Sequence, residues 1–101
     1  MRDGCMIFEG FMDFLSYLTM NKQAEPQMDT VVLNSANQLK RAVSFLSRHS
    51  VIQAYLDNDT AGKQVLSEIC REHSHVVDMS IQYEHCKDLN EYLVNQLKNN
   101  N

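Results

Sequence analysis

The residues of this chain best placed to do chemistry are three carboxylates. Glu9 follows the apolar run Met6-Ile7-Phe8 and is followed by Gly10; Asp57 follows the apolar run from Val51 to Leu56, and Asp59 stands two residues on. In an extended turn residues i and i+2 point the same way, so Asp57 and Asp59 can converge. Carboxylates at close range repel one another strongly unless a cation sits between them. Hard oxygen donors with open water positions suit Mg²⁺, which takes one or two carboxylates plus substrate phosphates. Gly10 lets the backbone turn sharply beside Glu9. Gly62 removes a side chain from the first turn of a following helix, where a phosphate could approach the amides. The same residues have a plainer account. Aspartate after a strand favours turns and N-caps, so Asp57 or Asp59 could start the next helix and Glu9 could be a solvated edge residue. Spacing alone leaves both open.

Such carboxylates meet only if a sheet brings them together. Met6-Ile7-Phe8, Thr30-Val31-Val32-Leu33, Val51 to Leu56 and Val76 to about Ile81 read as strands. Phe11, Phe14, Leu15 and Leu18 fall at i, i+3, i+4 and i+7, one face of a helix. Leu39, Ala42, Val43 and Leu46 repeat that spacing, with Ser35 or Asn37 as the candidate N-cap. Thr60 could cap a helix carrying Ala61, Val65, Leu66 and Ile69, and Leu89, Tyr92, Leu93 and Leu97 mark a last helix. The polar stretch Asn21 to Met28 around Pro26 reads as a loop. This β-α-β-α-β-α-β-α order implies an α/β fold with a mainly parallel four-stranded sheet flanked by helices on both faces. Such sheets bind ligands at the carboxyl ends of their strands, where the strand order reverses. Strand one should lie beside strand three, because that adjacency brings Glu9 to Asp57. A single domain over residues 1–98 is expected, with 99–101 as a disordered tail.

At 101 residues and 44% hydrophobic content the chain fits one small globular domain. Its net charge of -4 argues against a stand-alone non-specific DNA binder. The best basic candidates, Lys40, Arg41 and Arg48, read more simply as a solvated helix face. Cys5, Cys70 and Cys86 form no C-x-x-C pair, which excludes a zinc ribbon or thioredoxin motif. His73, His75 and His85 lie near two of these cysteines, but the spacing matches no standard finger, and they read as solvated histidines. Three thiols and no signal peptide point to the cytoplasm, and no apolar run is long enough to span a bilayer.

Three strings resemble one known family. Ile7-Phe8-Glu9-Gly10-Phe11-Met12-Asp13 is similar to the primase string in which an apolar strand ends in Glu-Gly, followed by an aromatic, Met and Asp. Tyr55-Leu56-Asp57-Asn58-Asp59-Thr60-Ala61-Gly62-Lys63 resembles the second Toprim motif, a strand ending in D-x-D with A-G and a basic residue after it. Lys87-Asp88-Leu89-Asn90-Glu91-Tyr92-Leu93 resembles the primase string K-D-P-D-E-Y-L. The strings come in order and span Ile7 to Leu93, so the chain resembles a Rossmann-like Toprim domain of the bacterial DNA primase type. The resemblance implies a Mg²⁺ (or Mn²⁺) site at Glu9, Asp57 and Asp59 and nucleotidyl transfer in DNA replication, with nucleic acid and nucleotides as partners. In that mechanism the metal activates a hydroxyl and bridges phosphate oxygens, and Glu9 serves as ligand or general base.

Leu89 replaces the family's Pro, and Asn90 stands where primases carry a second Asp, which removes a negative charge from the site. Asp88 has two readings: a metal role, or the capping box Asp88-x-x-Glu91 of the last helix. Lys87 either contacts phosphate or is solvated, and Asp13 either orients Glu9 or a water or lies on a polar helix face. Tyr17, Tyr55, Tyr83 and Tyr92 have core or helix-face readings, which disfavours topoisomerase chemistry from this chain. No zinc-binding module or basic subdomain accompanies the motifs, so activity is expected to need such a domain. The competing readings are a Toprim nuclease and a non-catalytic Toprim-like module that binds metal or a partner.

Overall fold

The computed structural model describes residues 3–35 and 38–99. Its sheet holds four parallel strands: β1 (Gly4–Phe8), β2 (Asp29–Val32), β3 (Val51–Tyr55) and β4 (Val76–Asp78). Their order is β2-β1-β3-β4. Phe8, the last residue of β1, pairs with Val32 on one side and Tyr55 on the other. The chain leaves β1 for β2 and then returns past β1 to β3, so the order reverses beside β1. The ends of β1 and β3 therefore form the crevice of a doubly wound sheet. Strand one lies beside strand three, as the shared-site argument required.

Helices α1 (Phe11–Met20), α2 (Leu39–Leu46), α3 (Thr60–Glu72) and α4 (Leu89–Asn99) cover the sheet. Cys5 and Ile7 of β1 face a core with Leu39, Leu46, Val65 and Ile69, beneath α2 and α3. Met6 and Phe8 face the opposite core with Tyr55, Tyr83 and Leu89, beneath α1 and α4. All four of these β1 side chains are fully buried, and for that reason the strand reads as a continuous apolar run rather than an alternating one. Phe8 stacks on Tyr55 with centroids 4.9 Å apart and meets Tyr17 edge-on at 5.8 Å. Of the four tyrosines, Tyr17, Tyr55, Tyr83 and Tyr92 all belong to this second core.

Four local expectations need correction. The fourth strand does not reach Ile81: it stops at Asp78, and Met79–Tyr83 form a 3₁₀ helix. The Asp78 carboxylate accepts from the Ser80 amide at 2.9 Å and its hydroxyl at 2.6 Å, a local bond that competes with the ladder. Helix α1 does not bury the expected stripe, since Phe11 and Leu15 are exposed and the buried residues are Asp13 and Ser16. Its contact with α4 is partly polar: the Ser16 hydroxyl lies 2.8 Å from Met12 O and 3.0 Å from Asn90 Oδ1. Gln38 precedes α2 without a side-chain capping bond, so Ser35 is not the cap, and Asn37 lies outside the described residues. Thr60 is the first residue of α3 rather than its cap, a place taken by Asp59. Helix α4 reaches Asn99; Asn100 and Asn101 lie outside the described residues. No described helix is long and apolar enough to cross a membrane.

At the other end of the sheet His49, which the sequence reading did not single out, is buried between elements. Its Nε2 lies 2.8 Å from Asp29 Oδ2 and its Nδ1 2.9 Å from Phe45 O. The ring thus ties the end of α2 to the start of β2. His49→Ala is expected to destabilise the chain by about 2–3 kcal/mol through both lost bonds and the space left behind. Urea unfolding at neutral pH measures this, and a loss under about 0.5 kcal/mol, the range of an ordinary surface change, would show that the tie is idle.

Candidate metal centre

Glu9 and Asp57 stand on the connections that leave β1 and β3, and the rim is closed by one bond between them. The Asp57 amide donates to Glu9 Oε1 at 2.9 Å. Asp13, one turn into α1, and Asp88, at the start of α4, complete the site from the side. Asp13, Asp57 and Asp88 each offer an oxygen, and these atoms lie within 4.8 Å of one another. Asp13 is only 6% exposed, so it is an interior carboxylate rather than a polar-face residue.

Most of these carboxylates are held by main-chain amides. Asn90 N donates to Asp13 Oδ1 at 3.1 Å, Glu91 N to Asp88 Oδ1 at 2.8 Å, and Gly62 N to Asp59 Oδ1 at 2.8 Å. Asp59 is therefore the N-cap of α3, and Asp88 caps α4 while also standing in the cluster. Glu91 returns the capping contact by accepting from Lys87 N at 3.0 Å. Both readings of Asp88, cap and cluster member, describe the same side chain.

Asp57 is the exception. No hydrogen bond to its carboxylate occurs among the described residues, and its pKa rises to about 7. Burial is the largest cause, followed by the charges of Glu9, Asp13, Asp88 and Asp59. Burial also raises Asp13, against the Asn90 amide that lowers it, with Asp88 and Glu9 adding to the rise. Burial, then the charges of Asp13 and Asp57, push the neighbouring Tyr83 phenol far up, and its hydroxyl donates to Leu56 O at 2.8 Å. The ion pairs found among the described residues, His49–Asp29 and His85–Glu84, lie elsewhere.

The remaining candidates have these places in the structure. Gly10 caps α1 in an ordinary extended conformation, φ -128° and ψ 154°. A side chain there would stand 3.3 Å from Asp13 Oδ2, so its role is to leave room for that carboxylate. A Cβ on Gly62 would collide with the Asp57 carbonyl and stand 2.8 Å from Glu9 Oε1. Gly62 thus permits close packing of α3 on the rim, and its amide is already given to Asp59. Lys63 Nζ donates to Asn58 Oδ1 at 3.1 Å and Ser80 Oγ at 3.4 Å. Lys87 is exposed, and its carbonyl accepts from Asn58 N at 2.7 Å. Asn90 links α4 to α1 through Asp13 and Ser16. The sequence reading undervalued Asp13 and missed Asn58. A signal for Asp13 was available in the polar pair Asp13 and Ser16, one turn apart on the helix that leaves Glu9-Gly10.

The likeness to known proteins agrees with this arrangement. A family model described as Toprim-like matches residues 6–93. Among solved structures, the primase fragment of the bacteriophage T7 primase-helicase protein superposes with a TM-score of 0.69 at 20% identity. The match covers 93% of this chain and 40% of that one, so this chain spans well under half of the fragment it resembles. No curated protein sequence matches.

Asp57 sets a pH dependence. With a folded pKa of about 7 it keeps a proton that the unfolded chain has released above about pH 4. The native state then binds more protons than the unfolded state between those values, so Asp57's contribution to stability falls as pH rises from about 4 to 7 and is fully lost above that. In chelator-treated samples, Asp57→Asn should therefore gain on the parent across this window and be at least as stable at pH 8. Urea midpoints from pH 4 to 8 measure the difference, and a constant gap between the two proteins would show that Asp57 is not crowded.

Proposed function

The chain belongs to the Toprim-like family, and from that premise we propose that it is the Mg²⁺-dependent module of a primase-like protein that carries out nucleotidyl transfer on nucleic acid. One observation carries the reading: four further carboxylates act on Asp57 at the rim where β1 and β3 end, and no described ion pair neutralises them. A hard divalent cation fits this donor set, which is all oxygen and close-set. Asp57 is the proposed central ligand. Glu9 and Asp59 are its partners by the family resemblance, and Asp13 and Asp88 are its partners by proximity.

A bound Mg²⁺ or Mn²⁺ supplies activation of a hydroxyl and neutralisation of charge on phosphate. The chain's own contribution is to hold the oxygens still. Glu9 is oriented by the Asp57 amide, Asp59 by α3, Asp88 by α4 and Asp13 by Asn90. Asp57 sheds its proton at about neutral pH, so metal binding should release protons and tighten as pH rises through 7. With a net charge of -4 the surface should hold a polyanion poorly. Template and nucleotides should therefore be gripped by a basic or zinc-binding domain acting with this one, in a cytoplasmic setting. A non-catalytic metal- or partner-binding module draws support from Asn90, which removes a carboxylate from the third motif, and a Toprim nuclease would use the same site with water as the attacking group.

Titration with Mg²⁺ or Mn²⁺ followed by NMR should move the Gly10 and Asn58 amides first, with weak affinity. The Asp57→Asn/Asp59→Asn variant should abolish those shifts, and unchanged shifts would place the ions elsewhere. Primer synthesis on single-stranded template should be absent from this chain alone. It should appear with a basic partner domain in cis or in trans, and be lost in Glu9→Gln and in Asp57→Asn. Synthesis that survives both substitutions overturns the catalytic reading.

A further inference from the structure

Asn58 lies between the two aspartates of the D-N-D string and carries no charge. In the structure its amide is one of the most heavily used polar groups. Nδ2 donates to the carbonyls of Tyr83 at 2.9 Å, Cys86 at 3.0 Å and Ser80 at 3.4 Å. Oδ1 accepts from Lys63 Nζ at 3.1 Å, and the Asn58 main-chain amide donates to Lys87 O at 2.7 Å. Three carbonyls on one side and an ammonium on the other settle which end of the amide is nitrogen.

Every carbonyl partner belongs to residues 80–87, the segment that delivers Asp88. That segment pairs with no strand, and its other described hydrogen bonds to the sheet are those of Ser80 to Asp78 at the end of β4 and of the Tyr83 hydroxyl to Leu56 O. Asp88 must nonetheless be held near Asp13 and Asp57, which repel it. On the α1 side Asn90 does this through its amide on Asp13. On the β3 side the restraint comes from Asn58.

We propose that Asn58 is the positioning residue of the site, clamping residues 80–87 against the end of β3 so that Asp88 stands within ligand distance of Asp57. As a statement about metal binding it rests on the metal-site reading above. As a statement about where Asp88 sits it does not, and the two are separable by experiment.

The first measurement needs no metal. Amide hydrogen exchange in Asn58→Ala should quicken at residues 86–91 while the Val65 and Ile69 amides of α3 stay protected as in the parent. Unchanged exchange at 86–91 overturns the proposal. The second measurement is a double-mutant cycle on Mn²⁺ affinity by calorimetry, with Asp57→Asn as the control for the site itself. Asn58→Ala should weaken Mn²⁺ on the order of tenfold, the usual effect of removing a partner that orients a ligand. Added to Asp88→Asn it should weaken binding no further, because both changes remove the same ligand. Mn²⁺ broadening of amide signals should persist at Gly10 and be lost at Asp88 to Glu91. Full additivity, or broadening at Asp88 as strong as in the parent, shows a role other than positioning Asp88. An affinity unmoved by Asp57→Asn sinks the metal-site reading instead, and the exchange measurement alone then decides the position of Asp88. Should Asn58→Ala not fold, Lys63→Met removes the ammonium that Asn58 Oδ1 shares with Ser80 Oγ and should give the same pattern at smaller amplitude, which Ser80→Ala, losing only the Ser80 share, should not; no change in Lys63→Met overturns the proposal.

Discussion

The rim of this sheet is organised around an unfavourable interaction, the crowding of like charges at Asp57. Two unit charges 4.8 Å apart, the spacing of the tightest trio, repel by about 3–4 kcal/mol at an effective dielectric constant of about 20. A charge-assisted hydrogen bond returns about 1.5–3 kcal/mol. Glu9, Asp13, Asp59 and Asp88 each receive such a bond from a main-chain amide. Asp57 receives none among the described residues, and it is the group whose pKa climbs to about 7. The protein thus fixes four of the carboxylates and leaves the mismatch on the central one. Below neutral pH Asp57 keeps a proton there; a divalent cation in its place would add an attraction to each carboxylate that offsets their mutual repulsion.

That constraint accounts for features that look odd by the usual rules of packing. The α1–α4 contact adds part-buried polar bonds among Asp13, Ser16 and Asn90 to the apolar core that Phe14, Tyr17, Leu89 and Tyr92 share, although a small domain normally spends such a contact on apolar burial alone. Gly62 is needed because α3 must approach the Asp57 carbonyl and Glu9 closely enough to give its amide to Asp59. The fourth strand ends after three residues, where Asp78 caps the 3₁₀ helix through Ser80, and that helix presents the Ser80 and Tyr83 carbonyls to Asn58. Local departures of this kind are expected where a structure holds a functional site.

The sheet was legible in the sequence because its signal is strong and redundant. Four continuous apolar runs separated by helical spacings allow few topologies other than a parallel doubly wound sheet, and the need to join Glu9 to Asp57 placed strand one beside strand three. What failed was reading faces. The spacing of Phe11, Phe14, Leu15 and Leu18 is helical, but periodicity alone does not say which side of a helix is inward, and the inward side carries Asp13, Phe14, Ser16 and Tyr17. Asp13 and Asn58 were undervalued for a related reason. Their importance lies in contacts across 25 to 77 residues of chain, which no local pattern encodes. Gly10 was read as a turn device and Gly62 as an opening for phosphate; neither adopts a positive φ, and both matter through the room they leave for Asp13, Glu9 and the Asp57 carbonyl.

The distribution of charge completes the physical case. Beside the rim, the Lys63 ammonium is already shared between Asn58 and Ser80. Lys40 and Arg41 sit exposed on α2, the helix that covers the opposite core from α1 and α4. A phosphate approaching Asp57 therefore meets negative charge first, and Coulomb repulsion opposes it at any ordinary ionic strength within about 8 Å. The sign of that field changes only with a cation in the cluster. If the rim holds a metal, as proposed above, its occupancy and phosphate affinity would be one coupled equilibrium, in which each should tighten the other by the same factor.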